Sequence, residues 1–176
     1  MKNEQLFRQI YQDHIEMVYN LCLNYLQNAE DAEEVSQDVF VKVHQQMGRF
    51  EARSSWKTWI YRIAVNKCLD HLKAQKRQKR FGIHVSLFPF GTNNPVLAGN
   101  FRHPGVQLED KEAMERLFLH INSLPDKQKT ALILKSLEGL SQKEISEVMK
   151  MSEKAVESLL SRARSNLKKK LKGSEG

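Results

Sequence analysis

The apolar spacing of this 176-residue chain predicts an all-α protein: two small helical domains, residues 1–80 and 113–176, joined by a flexible linker over 81–112. The C-terminal domain is expected to contain a helix-turn-helix. Three observations carry this prediction. Apolar residues recur at three- to four-residue steps on both sides of the middle, as amphipathic helices require. Between them, four of the 8 glycines (Gly82, Gly91, Gly99, Gly105) and three of the 4 prolines (Pro89, Pro95, Pro104) crowd into residues 81–105, a density of breakers that no helix survives. A structureless stretch of that length is uncommon inside one compact domain, which favours two domains over one.

Each element follows from its local pattern. Leu6, Ile10, Met17, Leu21 and Tyr25 set the inner stripe of a first helix. Asn28-Ala29-Glu30-Asp31 reads as a break, with acids placed favourably in the first turn of the next helix. Ala32, Val35, Val39 and Val43 form the buried stripe of that second helix. A turn runs from Gly48 to Ser55, and Ser54 or Ser55 is available as N-cap to a third helix whose apolar side is Trp59, Ile60, Ile63, Ala64 and Leu72. The linker is rich in apolar anchors, among them Phe81, Phe88, Phe90 and Phe101. Periodicity returns with Met114, Leu117, Phe118, Ile121 and Leu124 and stops at Pro125. A further helix spans Asp126 to Leu137, ended by Gly139. Ser141-Gln142-Lys143-Glu144 is a capping box opening a helix with Ile145, Val148 and Met149 inside. Ser152 then caps a last helix carrying Val156, Leu159, Leu160, Ala163, Leu167 and Leu171.

Composition narrows the function. No apolar run approaches the roughly 20 residues of a membrane span, and no signal-peptide core follows the N-terminus, so a cytoplasmic protein without membrane insertion is expected. Cys22 and Cys68 form neither a CxxC nor a zinc-spaced cluster, so no metal or other cofactor is implied. The net charge of +7 is unevenly spread. Residues 1–50 hold 4 basic and 8 acidic side chains, residues 51–80 hold 9 and 2, and residues 113–176 hold 13 and 8. An acidic block joined to a basic one suggests two distinct binding faces.

Three constellations stand out. In the helix pair from Ser141 to Leu171, the second helix presents Ser152, Glu153, Lys154, Glu157, Ser158 and Ser161 outward near its start, followed by Arg162, Arg164 and Lys168 to Lys170. A helix-turn-helix inserts such a helix into the major groove, its first residues at base edges and later cations at phosphates. An ordinary helical hairpin with a solvated basic end fits the same residues. The third helix combines Trp56, Trp59 and Tyr61 with Arg53, Lys57, Arg62, Lys67 and Lys73, the mixture of stacking faces and cations that holds single strands. Trp59 falls at a core position, whereas Trp56 and Tyr61 lie off the inner stripe and are the better stacking candidates; Asn66, Asp70 and His71 add polar groups. Glu30, Asp31, Glu33, Glu34 and Asp38 on the second helix would repel DNA, which leaves a protein interface or a solvated face. No nucleophile, metal cluster or phosphate loop accompanies these carboxylates, so an enzyme is not expected.

Specific strings then match a known family. Asp31-Ala32-Glu33-Glu34-Val35-Ser36-Gln37-Asp38-Val39-Phe40-Val41-Lys42-Val43 resembles region 2.2 of the extracytoplasmic-function (ECF) RNA polymerase sigma factors of the sigma-70 family. Ser54-Ser55-Trp56-Lys57-Thr58-Trp59-Ile60-Tyr61-Arg62 through Asp70 resembles their regions 2.3 and 2.4. Ser123-Leu124-Pro125 and Ser158-Leu159-Leu160-Ser161-Arg162-Ala163-Arg164 are similar to parts of region 4. The resemblance implies a protein that binds core RNA polymerase and directs promoter-specific initiation. It assigns Asp31, Glu34, Gln37, Asp38 and Phe40 to the clamp helices of the polymerase β′ subunit. The turn Arg49–Ser55 (with Arg53, Ser54 and Ser55), Trp56, Lys57, Tyr61, Arg62, Asn66, Lys67 and His71 would recognise and melt the −10 element. Ser141, Ser152, Glu153, Lys154, Ala155, Glu157, Ser158, Ser161, Arg162 and Arg164 would meet the −35 element, in a domain that also docks on the β flap. An anti-sigma factor is an implied partner, and a monomer, one per polymerase, the implied state. The chain departs from the family at Ala155, Glu157 and Leu159, and at Lys150, where glycine is common and a left-handed backbone costs a side chain about 1 kcal/mol. The reading weighed against this one is a stand-alone helix-turn-helix repressor or activator, which leaves the second and third helices without roles.

Overall fold

A computed structural model describes residues 2–80 and 108–173. Seven α-helices and no strand occur among the described residues, and they divide into two compact units. The first holds α1 (Lys2–Leu26), α2 (Ala29–Gln46) and α3 (Trp56–Arg80); the second holds α4 (Leu108–Asn122), α5 (Asp126–Ser136), α6 (Gln142–Met149) and α7 (Glu153–Gly173).

In the first unit each helix packs on the other two. Ile10, Val18, Leu21, Cys22 and Tyr25 of α1 meet Ala32, Val35, Val39 and Val43 of α2 and Ile60, Ala64, Val65 and Cys68 of α3 in one buried core. The Cys22 and Cys68 sulfurs sit 3.7 Å apart within it, packed as small apolar groups. Leu6, assigned above to the inner stripe, is 43% exposed. Its neighbour Phe7 takes the inward position instead, edge-on to His44 of α2 with ring centroids 4.8 Å apart.

Two caps turn α1 into α2. Gln27 adopts φ 56°; its N–H donates to the Leu23 carbonyl at 2.9 Å, and its side-chain amide donates to the Leu23 and Asn24 carbonyls at 3.2 and 2.9 Å, satisfying acceptors at the end of α1. Asn28 then accepts from the Asp31 N–H at 3.0 Å. A 3-10 turn, Met47–Arg49, follows α2. Ser55 rather than Ser54 caps α3, accepting from the Thr58 N–H at 3.1 Å.

The second unit is built around α5, on which Lys129 through Leu134 are all buried. α7 packs against α4, α5 and α6, and Val156, Leu160 and Ala163 supply its inner face. Gly139 at φ +68° provides the left-handed step after α5 that a side chain would resist, and it seats Leu140 in the core. α4 begins at Leu108, so residues 108–112 of the expected linker are helical. Pro104 and Gly105 are the last breakers before it, and no later residue opposes a helix. The rest of the expected linker, 81–107, lies outside the described residues.

Candidate functional site

α2 turns one face outward with Glu30, Glu33, Glu34, Gln37 and Asp38 exposed. Beside it, α1 and α2 enclose an apolar groove of about 370 Å³ lined by Phe7, Tyr11, Gln37, Phe40, Val41 and His44, with Gln45 at its rim. Phe40 needs a correction as a surface contact: it is 3% exposed, its ring set edge-on to Tyr11 at 4.7 Å, and it forms the groove's floor. Val41 and Tyr11 are the exposed apolar walls. Phe7, Tyr11, Val41 and His44 were not singled out from sequence. Phe7 with Tyr11 and Phe40 with His44 are four residues apart, the spacing that places side chains on one helical face.

Groups expected on opposite faces meet at the seam between α2 and α3. Asp31 turns inward: its carboxylate accepts from Gln75 Nε2 at 3.0 Å and lies 3.4 Å from His71 Nε2. Asp38 accepts from Lys67 Nζ at 3.0 Å. Asp31 and His71, assigned above to polymerase and to DNA, thus face each other half-buried between helices, with Gln75 Nε2 in hydrogen-bond reach of both, as their short side chains reach across a helix contact.

The loop entering α3 carries an aromatic cluster. Phe50 stacks on Trp56 at 3.8 Å between centroids, and Trp59 stands edge-on to Trp56 at 5.4 Å. One face of the Trp56 indole is therefore already occupied, and the partly exposed ring has its remaining surface for a ligand. Phe50 was seen in the sequence only as part of a turn. Arg53, Ser55, Lys57 and Asn66 are exposed, Ser54, Arg62 and Lys67 partly so. Tyr61 requires correction: it is 2% exposed, not a stacking surface. α3 packs on two helices at once, so its buried arc is wider than one stripe and takes in Ile60, Tyr61, Ala64, Val65 and Cys68. Lys57 Nζ lies 6.0 Å from the Tyr61 ring centroid. On α1, burial holds the His14 imidazole below its ordinary value, Asp13 partly offsets this, and Lys57 adds to it.

In the second unit the expected capping box is present in full. The Glu144 N–H donates to Ser141 Oγ at 3.2 Å and the Ser141 N–H to Glu144 Oε2 at 2.8 Å. The Ser141 hydroxyl also donates to Glu144 Oε2 at 2.7 Å, which commits it to the helix start. Lys150 closes α6 at φ 54°, ψ 51°, the left-handed conformation anticipated for that turn. Ser152 accepts from the Ala155 N–H at 3.2 Å. Ala155 is partly covered; Glu153, Lys154, Glu157, Ser158, Ser161, Arg162 and Arg164 are exposed, away from Val156, Leu160 and Ala163. α4, α5 and α7 also frame an apolar groove of about 200 Å³ lined by Leu117, Ile121, Leu132, Leu137 and Leu167, among others. No group able to hold a metal ion, and no helix long and apolar enough to cross a membrane, occurs among the described residues.

Comparisons with known proteins agree with this architecture. The Sigma-70 region 2 family matches residues 10–78, which contain most of the first unit, and the Sigma-70, region 4 family matches residues 115–167 in the second. The chain is 28% identical over 174 residues to the ECF RNA polymerase sigma factor SigW of Bacillus subtilis, covering 97% of this chain and 91% of that protein. It is 30% identical to the RNA polymerase sigma-H factor of Pseudomonas aeruginosa (88% and 80% covered) and 31% identical to the ECF RNA polymerase sigma-E factor of Haemophilus influenzae (88% and 81%). In fold it is similar to the sigma factor RpoE solved in complex with the anti-sigma factor NepR from Bartonella quintana, with a TM-score of 0.68 at 21% identity over 94% of this chain and 96% of that one. CnrH, solved with the cytosolic domain of CnrY, gives 0.66 at 21% identity over 97% and 90%. With two ordered domain matches and relatives of this identity along most of its length, the chain belongs to the sigma-70 family as an ECF sigma factor, a protein of promoter-specific transcription initiation by RNA polymerase.

Proposed function

We propose a division of labour among named surfaces. The exposed face of α2, with Glu34, Gln37 and Asp38, and the groove floored by Phe40 dock on the β′ clamp helices of core polymerase. A groove with apolar walls beside carboxylates suits a partner helix that carries both apolar and cationic groups. The loop Arg49–Ser55 and the outer face of α3 take the −10 element. There the Phe50–Trp56 stack offers a flat wall for an unstacked base, while Lys57, Arg62 and Lys67 draw the phosphates. The start of α7, from Ser152 to Arg164, enters the major groove of the −35 element, and the apolar groove of the second unit docks on the β flap. The protein acts in the cytoplasm as a monomer, without catalysis of its own, and is held in check by an anti-sigma factor.

The observation that carries this reading is one three-helix unit presenting an acidic, grooved helix beside a helix with aromatic and cationic groups at its start. Purified chain mixed with bacterial core RNA polymerase should produce transcripts from a promoter library. Charge reversal at Asp38 should abolish polymerase binding, and reversal at Arg62 should leave binding intact while removing transcripts. Tight, specific duplex binding by the free chain with no polymerase binding would overturn the reading in favour of a stand-alone repressor.

A further inference from the structure

The seam between α2 and α3 sets one proposed interface against the other. Lys67, His71 and Gln75 fall four residues apart along α3 and so share one face. Opposite them on α2 stand Asp38, which accepts from Lys67 Nζ at 3.0 Å, and Asp31, bound to Gln75 and facing His71. The inner end of this ladder is half-buried, but its outer end is open: the Asp38 side chain is 59% exposed and that of Lys67 34%. A cationic group arriving at the exposed face of α2 therefore has direct access to the carboxylate that holds Lys67. Gln37 and Phe40, neighbours of Asp38 on α2, already line the apolar groove where such a partner would seat.

We propose that Asp38 is a positioning residue that withholds Lys67 from DNA until a basic partner helix on α2 takes its carboxylate. Polymerase docking and single-strand capture are then coupled by exchange of one ion-pair partner, without movement of the helices. The proposal rests on the assignment of α2 to a protein partner and α3 to DNA. An exposed ion pair shifts an equilibrium by about two- to fivefold, so the coupling is a modest bias and is easily reversed.

The test is equilibrium binding of the full chain to a labelled single-stranded oligodeoxynucleotide, measured by fluorescence anisotropy across a salt series. Asp38→Asn should tighten binding by about two- to fivefold, and should steepen the salt dependence by about 0.7, the increment for one more phosphate neutralised on a single strand. Asp38→Ser repeats the test with a side chain too short to replace the bond to Lys67. Both gains should vanish in a Lys67→Gln background. Glu34→Gln, the same charge change one turn away, should not steepen the slope. An equal gain with and without Lys67 would reduce the effect to net charge and overturn the proposal, as would wild-type binding with no gain on Asp38 substitution. Failure of every variant, wild type included, to bind the oligonucleotide at low salt would instead remove the DNA face itself, and the proposal with it.

Discussion

Lys150 sits in the turn between α6 and α7 with φ 54° and ψ 51°, where its β-carbon crowds the backbone. The N–H groups of Lys150 and Met151 both donate to the Ser146 carbonyl, so the turn needs this conformation whatever residue occupies it. Lys150→Gly should therefore raise the stability of the second unit by at most about 0.5 kcal/mol, the strain relieved less the added freedom of the unfolded chain. A denaturant midpoint followed by helical circular dichroism measures it. His14 carries a pH dependence of definite sign. Burial lowers its proton affinity in the folded state, with Asp13 opposing and Lys57 assisting. Its contribution to stability is whole above the ordinary value of 6.5 and is lost as pH falls through the lowered one. Thermal melts on both sides of pH 6.5 should show the slope, and His14→Gln should reduce it.

Helix ends in this chain are set by local chemistry that can be written down from the sequence. The Ser141–Glu144 box satisfies two backbone N–H groups, so Ser141→Ala should destabilise α6 by about 1 kcal/mol, again by denaturant midpoint. Caps such as Ser141 and Ser152, and the stripes Ala32-Val35-Val39-Val43 and Val156-Leu160-Ala163, were legible because each depends on residues within one or two turns, whereas Asn28 was seen only as part of a break. Tyr61, Phe40 and Asp31 were not. Which arc of α3 is buried depends on two neighbouring helices, and a carboxylate's partner can lie 44 residues away, as Gln75 does from Asp31. The groove against Phe40 was illegible for the same reason: it exists only once α1 and α2 have docked.

Across the whole molecule, the two units bring separate cores, and each carries its own candidate surface. Neutralising Arg162 and Arg164 together should weaken −35 duplex binding and lower its salt slope by about 0.9 for each phosphate that no longer meets a cation, while binding to core polymerase stays unchanged. Duplex titrations at several salt concentrations, paired with a polymerase pull-down, measure both. The aromatic cluster at the entrance to α3 has an optical consequence. Both tryptophans of the chain stand in it, Trp56 against Phe50 and Trp59 against Trp56, and all four tyrosines lie between Tyr11 and Tyr61. Residues 81–176 contain neither chromophore. Tryptophan emission, excited at wavelengths that tyrosine does not absorb, is thus a signal from the first turns of α3. A base arriving beside Trp56 would quench it, so the free chain needs no label to report capture of a single strand at the entrance to α3.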